Sequence, residues 1–287
     1  ISEADKSGNV FSPRVTIKYD IAQYIQARAS YSQGYRSPQI YDEDLHIETS
    51  GARKVTHQNH PDLTKETSHS FMGSIDFNKQ IGEMYLGVLA EGFYTKLIDA
   101  FANRFSEPDE HNEVVYTRVN ADGGAEVAGV NLEINFVPVE TVRIQSGFTY
   151  QISEYENPQE FNEQSFFRTP NDYGYLTLGY DPTKDIGFST TANYTGSMLL
   201  PYFGNTLPVP EEGELRESDP FLDLGIKAHY KYKLNGAKLQ FYVGVKNILN
   251  SYQDDFDSGF DRDPGYIYGP GLPRMIYAGV KIANIFR

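Results

Sequence analysis

At 287 residues the chain has the length of two ordinary soluble domains or of one large all-β domain. Its 25 Lys and Arg stand against 39 Asp and Glu, a formal net charge of -14, which excludes a nucleic-acid-binding face that would have to meet phosphates. With no cysteine there is neither a disulfide framework nor a thiolate metal site, and no apolar run reaches the roughly 18 to 20 residues of a spanning helix.

The opening Ile1-Ser2-Glu3-Ala4-Asp5-Lys6 has neither the basic stretch nor the apolar core of a signal peptide, so an export signal is expected upstream of it. Period-two alternation then predicts strands at Val15 to Tyr19 and Gln23 to Tyr35, with a short turn at Asp20-Ile21. A long polar stretch, Ser37 to Lys65, follows. Further strands are expected at Thr67 to Asn78 and Glu83 to Thr95, joined by the short turn 78–82. Beyond the polar stretch Asn103 to Val114, Val130, Leu132, Ile134 and Phe136 alternate with Asn131, Glu133 and Asn135. A turn at Pro138-Val139-Glu140 leads to Val142, Ile144, Ser146, Phe148 and Tyr150, alternating with Arg143, Gln145, Thr149 and Gln151.

The polar stretch Tyr155 to Thr169 precedes strands at Tyr173 to Tyr180 and Ile186 to Tyr194, which the turn 181–185 connects. After Leu199 to Asp219 comes the cleanest case, with Leu222, Leu224, Ile226, Ala228, Tyr230, Tyr232 and Leu234 on one face. Asp223, Gly225, Lys227, His229, Lys231 and Lys233 lie on the other. Asn235-Gly236 is a two-residue hairpin signal before Leu239 to Val245, and Ser251 to Pro273 separates that strand from Ile276 to Ile282. The sum is about eleven strands.

Short turns alternate with long polar stretches, and Tyr and Phe gather near the ends of the strands. Both features belong to outer-membrane barrels, whose periplasmic turns are short, whose extracellular loops are long and whose interfaces carry aromatic girdles. A soluble all-β fold also uses period-two strands, but a strand as long as 222–234 with one face apolar throughout fits lipid outside and water inside.

Ordered motifs make the class more specific. Gly34-Tyr35-Arg36-Ser37-Pro38, Asn59-His60-Pro61-Asp62-Leu63-Thr64-Lys65-Glu66-Thr67-Ser68, and Asn120 followed by Ala128-Gly129-Val130-Asn131-Leu132-Glu133 stand in the first half. Val245-Lys246-Asn247-Ile248-Leu249-Asn250 follows, and then Tyr268-Gly269-Pro270-Gly271-Leu272-Pro273-Arg274 with Tyr277-Ala278-Gly279-Val280. In this order they resemble the barrel motifs of TonB-dependent outer-membrane receptors. The departures are His60 within the asparagine-proline motif, Leu272-Pro273 before Arg274, and Arg287 after Phe286, the aromatic that would carry the family's C-terminal assembly signal.

The resemblance implies an all-β transmembrane antiparallel barrel with residues 1–287 as the C-terminal half of a 22-stranded wall, and with no plug domain in this chain. It implies a Gram-negative outer-membrane location and no enzyme activity. The implied function is TonB-dependent import of a scarce nutrient, an iron chelate or haem, with cobalamin, a glycan, a peptide or a passive porin as rivals. Partners would be the N-terminal half of the barrel with its plug, from a separate or nicked chain, the TonB complex reached through the plug, lipid, and a surface lipoprotein. An isolated half-barrel would expose two strand edges to hydrocarbon, which is why the missing half is expected.

Candidate ligand contacts fall in the loops. Tyr41, His46, His57 and His60 share the first loop, where neutral imidazole could ligate haem iron or a chelated metal, although a solvated loop holding several histidines is the plainer reading. Phe166, Phe167, Tyr202, Phe256 and Tyr266 could stack on a flat ligand or pack among themselves. Asp254, Asp255, Asp257, Asp261 and Asp263 offer oxygens to calcium without matching the EF-hand pattern, and no tightly bound cofactor is expected. Arg28, Arg143, Lys227, Lys231 and Lys233 are expected to face the lumen, holding the plug or lining a wet interior.

Overall fold

The computed structural model describes residues 10–38, 54–106, 113–210, 212–234, 237–259, 262–263 and 265–283. Eleven strands form one antiparallel sheet: β1 (Arg14–Ala22), β2 (Ile25–Arg36), β4 (Glu66–Ile81), β5 (Met84–Ile98), β8 (Ala125–Val139), β9 (Val142–Tyr155), β10 (Asp172–Tyr180), β11 (Ile186–Thr195), β14 (Phe221–Leu234), β15 (Ala237–Lys246) and β16 (Met275–Ala283). They pair in that order, so every wall strand neighbours the next one in the chain. Five further strands lie in the connections: β3 (Lys54–Asn59), β6 (Phe101–Phe105), β7 (Glu113–Asn120), β12 (Leu199–Tyr202) and β13 (Glu214–Glu217).

The register fixes the faces. Ile17 pairs with Ala29, Ala29 with Gly73, Gly73 with Gly92, Gly92 with Val130 and Val130 with Tyr150, and residues directly opposite share a face. The other row runs Lys18, Arg28, Ser74, Glu91, Asn131, Thr149. One face is thus apolar across the sheet and the other polar.

On the apolar face large side chains stand in solvent-accessible positions, among them Ile17 at 65%, Ile276 at 75% and Val130 at 57% exposed. Water would penalise such a surface; hydrocarbon would not. Its aromatics gather in two bands, with Tyr19, Tyr180, Phe188, Tyr230 and Tyr232 toward the turns and Phe71, Tyr94 and Tyr150 toward the loops. No helix among the described residues is long and apolar enough to cross a membrane.

The predicted strands are all present, with their ends shifted. The turn expected at Asp20-Ile21 is inside β1, and the reversal falls at Gln23-Tyr24 because Ala22 pairs with Ile25. A register irregularity between Asp20 and Ala22 absorbs an extra residue, which breaks the alternation early and mimics a turn. Likewise β8 runs through Pro138 to Val139, with an irregularity between Phe136 and Val139, and turns at Glu140-Thr141. Proline lacks an amide donor and is tolerated at such a bulge. The turn expected over 78–82 is likewise shifted: 78–81 belong to β4, and Gly82-Glu83, with Gly82 at φ 61, makes the reversal.

Edges are the other consequence of the pairing. Among the described residues β1 pairs only with β2 and β16 only with β15, so the sheet is open.

Candidate functional site

The long connections leave one end of the sheet and fold into a cap. Strand β7, from the connection after β5, pairs in parallel with β3, from the connection after β2, and antiparallel with β6. Under this small sheet Ala100, Ala102, Val119, Ala121 and Ala125 form a buried core, joined by Leu97, Tyr155 and Phe166. The polar stretches read from the sequence therefore contain ordered strands.

Family-like motifs meet at the bases of these connections. The Asn120 carboxamide accepts from the Thr64 amide at 2.9 Å and donates to the carbonyls of Thr64 at 3.1 Å and Asp99 at 2.6 Å. Asp99 sits at φ 54, a left-handed conformation that Asp tolerates better than most residues, and Asn120 pins it. Glu66 accepts from the Phe101 amide at 2.9 Å. Arg36 and Arg118 lie 5.5 and 5.7 Å from the Phe101 ring, and burial, then the neighbouring Arg36, lowers the pKa of Arg118.

The same logic recurs at β15. Asn247 and Asn250 take φ values of 48 and 57, the conformation that asparagine enters most readily after glycine. The Asn247 amide donates to Asp223 of β14, and its side chain donates to the carbonyls of Ser251 and Leu272, each at 3.0 Å. Asn250 accepts from the Arg274 amide at 3.0 Å. Each motif thus ties the top of one wall strand to the start of the next.

A second cluster joins the β12–β13 hairpin to the connection 247–274. Tyr202 and Tyr266, 2% and 4% exposed, pack edge to face at 4.8 Å with Met198 and Leu200, and the Arg216 guanidinium lies 3.4 Å above the Tyr202 ring. Asp255 accepts hydrogen bonds from the hydroxyls of Tyr266 at 3.0 Å and Tyr268 at 2.7 Å. Burial first, then this shared carboxylate, pushes both phenols above their ordinary pKa. Gln253, 1% exposed, donates to the Tyr266 carbonyl at 3.0 Å and accepts from the amides of Tyr268 and Gly269 at 2.9 and 3.2 Å.

The connection 156–171 bridges the clusters. Phe166 packs on Tyr155 at 4.6 Å, while Phe161 stands 6.0 Å from Phe167 and 5.9 Å from Phe203. Arg168 donates to the carbonyls of Gly265 and Ile267. Amides of Ser165 and Gln164 hold the Glu163 carboxyl below its usual range.

Tyr202 and Tyr266 are core of the cap rather than open stacking surfaces, because their rings are covered by each other and by Arg216. Phe166 is likewise packed inward, Phe167 is half-buried beside Phe161, and Phe256 is 42% exposed.

Of the acidic set, Asp257 accepts from the amides of Ser258 and Asp263, and Asp263 from those of Phe203 and Gly265, so with Asp255 these carboxylates organise the loop. Asp254 is exposed and Asp261 lies outside the described residues. Among the described residues no group of three or more His, Asp or Glu side chains is arranged to hold a metal ion.

His60 Nδ1 lies 3.2 Å from the Asp62 amide and 3.9 Å from the Asp62 carboxylate, so its contacts are with its own loop. His57 sits in β3 in register with Tyr116, and Tyr41, His46 and Phe286 lie outside the described residues. Arg28, Arg143, Lys227, Lys231 and Lys233 all lie on the polar face; Arg28 pairs with Asp76 at 3.7 Å and Arg143 with Asp181. Sequence reasoning missed Arg216 and Gln253, which carry no periodic signal, and reached Tyr268 and Asn120 only as letters of motifs.

A two-faced open sheet with long loops at one end and short turns at the other is the wall of an outer-membrane barrel. The sequence matches the family described as TonB dependent receptor-like, beta-barrel, over residues 2–248, and the chain belongs to that family. It is 24% identical over 235 residues to the iron-regulated outer membrane virulence protein of Vibrio cholerae, a match covering 76% of this chain and 33% of that protein. The chain thus spans about a third of the length of the curated relatives it matches.

Among solved structures, the ferric-catecholate import receptor Fiu of Escherichia coli K12 superposes with TM-score 0.65 at 18% identity, covering 96% of this chain and 35% of Fiu. The FrpB iron transporter of Neisseria meningitidis gives 0.62 at 14%, covering 94% and 38%. The copper transporter OprC gives 0.65 at 14%, covering 94% and 38%. At these identities the likeness establishes the fold. The family and its neighbours are receptors and transporters rather than enzymes, and they place the sheet in the Gram-negative outer membrane.

Proposed function

We propose that this chain supplies the later strands of the wall, and the cap above them, of a TonB-dependent importer of an iron chelate. The open sheet carries the reading: one face is built for lipid and the other for water, and two edges need further strands before hydrocarbon can tolerate them. The remaining wall and a plug that couples to TonB would complete it. The iron-regulated relative and the iron-transporting neighbours favour iron as the cargo. A chelate is favoured over haem because the ferric-catecholate import receptor Fiu is among the structural neighbours.

The test is growth of a deletion strain on single iron sources. Loss of growth on one ferric chelate, restored by the full-length receptor and not when TonB is absent, supports the reading. Unimpaired growth on every chelate, with a defect on cobalamin, a glycan or a peptide, would replace the cargo. TonB-independent passage would point to a passive pore.

A further inference from the structure

The polar face of the wall is not uniform in charge. On β4, β5 and β8 it carries Asp76, Glu91 and Glu133. On β14, β15 and β16 it carries Lys227, Lys231, Lys233, Lys238, Lys246 and Lys281, in a chain whose net charge is -14. The carboxylate on that face of these three strands is Asp223, which already accepts the Asn247 amide at 3.0 Å. Among the described residues none of these lysines lies within 4.0 Å of a carboxylate oxygen.

Neighbouring strands give no relief. Their polar face offers Thr177, Ser189, Thr191 and Asn193, all neutral, and the Asp181 carboxylate of the adjoining turn, near His229, is paired with Arg143. Lys233 and Lys238 are direct cross-strand partners, a placement that costs stability because like charges repel at that spacing. A strip of this kind is expensive to keep unless something anionic meets it.

Within the strip lies a hollow of about 430 Å³ lined by Lys227, Gln240, Tyr242, Lys246, Met275 and Tyr277. It exists because a glycine faces each tyrosine. Tyr242 lies over Gly279 and Tyr277 over Gly244, and a Cβ on either glycine would collide with the ring. The Lys246 ammonium sits 5.8 Å from the Tyr277 ring centre. Ring faces for a floor and ammonium groups for a rim suit a planar anionic group of small-molecule size.

We propose that this lysine strip is an inner-wall subsite on the import path, selecting a cargo that carries negative charge as it passes toward the turn end. The proposal rests on the importer reading above and adds a charge class and a place to it. An ammonium array on the low-dielectric wall of a water-filled channel would concentrate an anion locally, by about tenfold or more.

The experiment uses the full-length receptor in cells, with Lys227→Gln, Lys231→Gln, Lys246→Gln and Lys281→Gln combined. The probes are a trianionic ferric tricatecholate, ferric citrate and an uncharged ferric trihydroxamate, all labelled with radioactive iron. Energised uptake of an anionic probe should fall by about tenfold, while its binding to de-energised cells stays unchanged and outer-membrane abundance confirms folding. Lys184→Gln, in the exposed turn between β10 and β11 and outside the strip, should retain uptake. Wild-type import of only the uncharged probe, or equal uptake by variant and wild type, would overturn the proposal. Variant cells that admit a large antibiotic without TonB would show that the lysines seat the plug, and would overturn it too. If wild-type cells import none of the probes, the iron-chelate reading fails and the proposal falls with it.

Discussion

The two halves of the loop cap order long chain segments by different means. Around β6 and β7 the backbone does the work: ladder hydrogen bonds tie two connections into one sheet, and small aliphatic side chains fill a thin core. Around the β12–β13 hairpin the ladder is only four pairs long, and side chains take over, with Gln253, Asp255 and Arg216 knitting Tyr202, Tyr266 and Tyr268 together. A backbone-held cap loses little when one side chain changes. A side-chain-held cap concentrates its stability in a few buried groups.

Breaking the second half should therefore have the larger effect. In Gln253→Leu the Tyr266 carbonyl and the amides of Tyr268 and Gly269 lose their partner in a buried place. Each such orphan costs about 1–3 kcal/mol, so local opening of 247–274 should become easier by at least about 3 kcal/mol. Hydrogen exchange of the full-length receptor in native membranes should show amides of that segment exchanging about 100-fold faster. Unchanged protection there would mean that the ladder, not Gln253, holds this half.

The matching change in the first half is Asn120→Ala. It removes the bonds to the Thr64 amide and to the carbonyls of Thr64 and Asp99, but β7 keeps both of its backbone neighbours. The expected cost is about 1–2 kcal/mol, read as faster exchange at the Thr64 amide with β6 and β7 still protected. Asn120→Asp retains the acceptor for Thr64 and should restore that amide alone. Collapse of protection throughout β3, β6 and β7 would show that the motif residue, rather than the ladder, nucleates this sheet.

The same contrast explains what could be read from the sequence. Wall strands announce themselves because every second residue must satisfy lipid, and Lys227, Lys231 and Lys233 could be placed on one face by counting alone. The junction asparagines were visible as motif letters, and their left-handed φ values supply the physical reason for them. Bulges at Asp20 to Ala22 and at Pro138 hid the turns, since one inserted residue reverses the alternation. The cap was the least legible part. Tyr202 and Tyr266 look like exposed loop aromatics in sequence, and only the convergence of connections some sixty residues apart buries them.

Titration offers the finest probe of the two tyrosines that share Asp255. Tyr266 and Tyr268 both have their pKa raised from an ordinary value near 10, by burial and then by the Asp255 carboxylate that accepts their protons' hydrogen bonds. Because the folded pKa lies above the unfolded one, the folded cap holds these protons where the unfolded chain has released them. The sign follows: the contribution is complete below about pH 10 and is lost as pH rises through the folded values, so alkali loosens the cap while neutral pH does not. Phenolate absorbance of the receptor should accordingly contain a late-titrating fraction to which Tyr266 and Tyr268 contribute and which shrinks when both are replaced by Phe, with protease sensitivity of 247–274 appearing only as they ionise. Asp255→Asn removes the charge while leaving an acceptor oxygen, so the lagging pair should move back toward the ordinary value without reaching it, burial being the larger cause. If the pair titrates with the exposed tyrosines in the wild type, the side-chain network is open in the membrane and the contrast between the two halves of the cap fails.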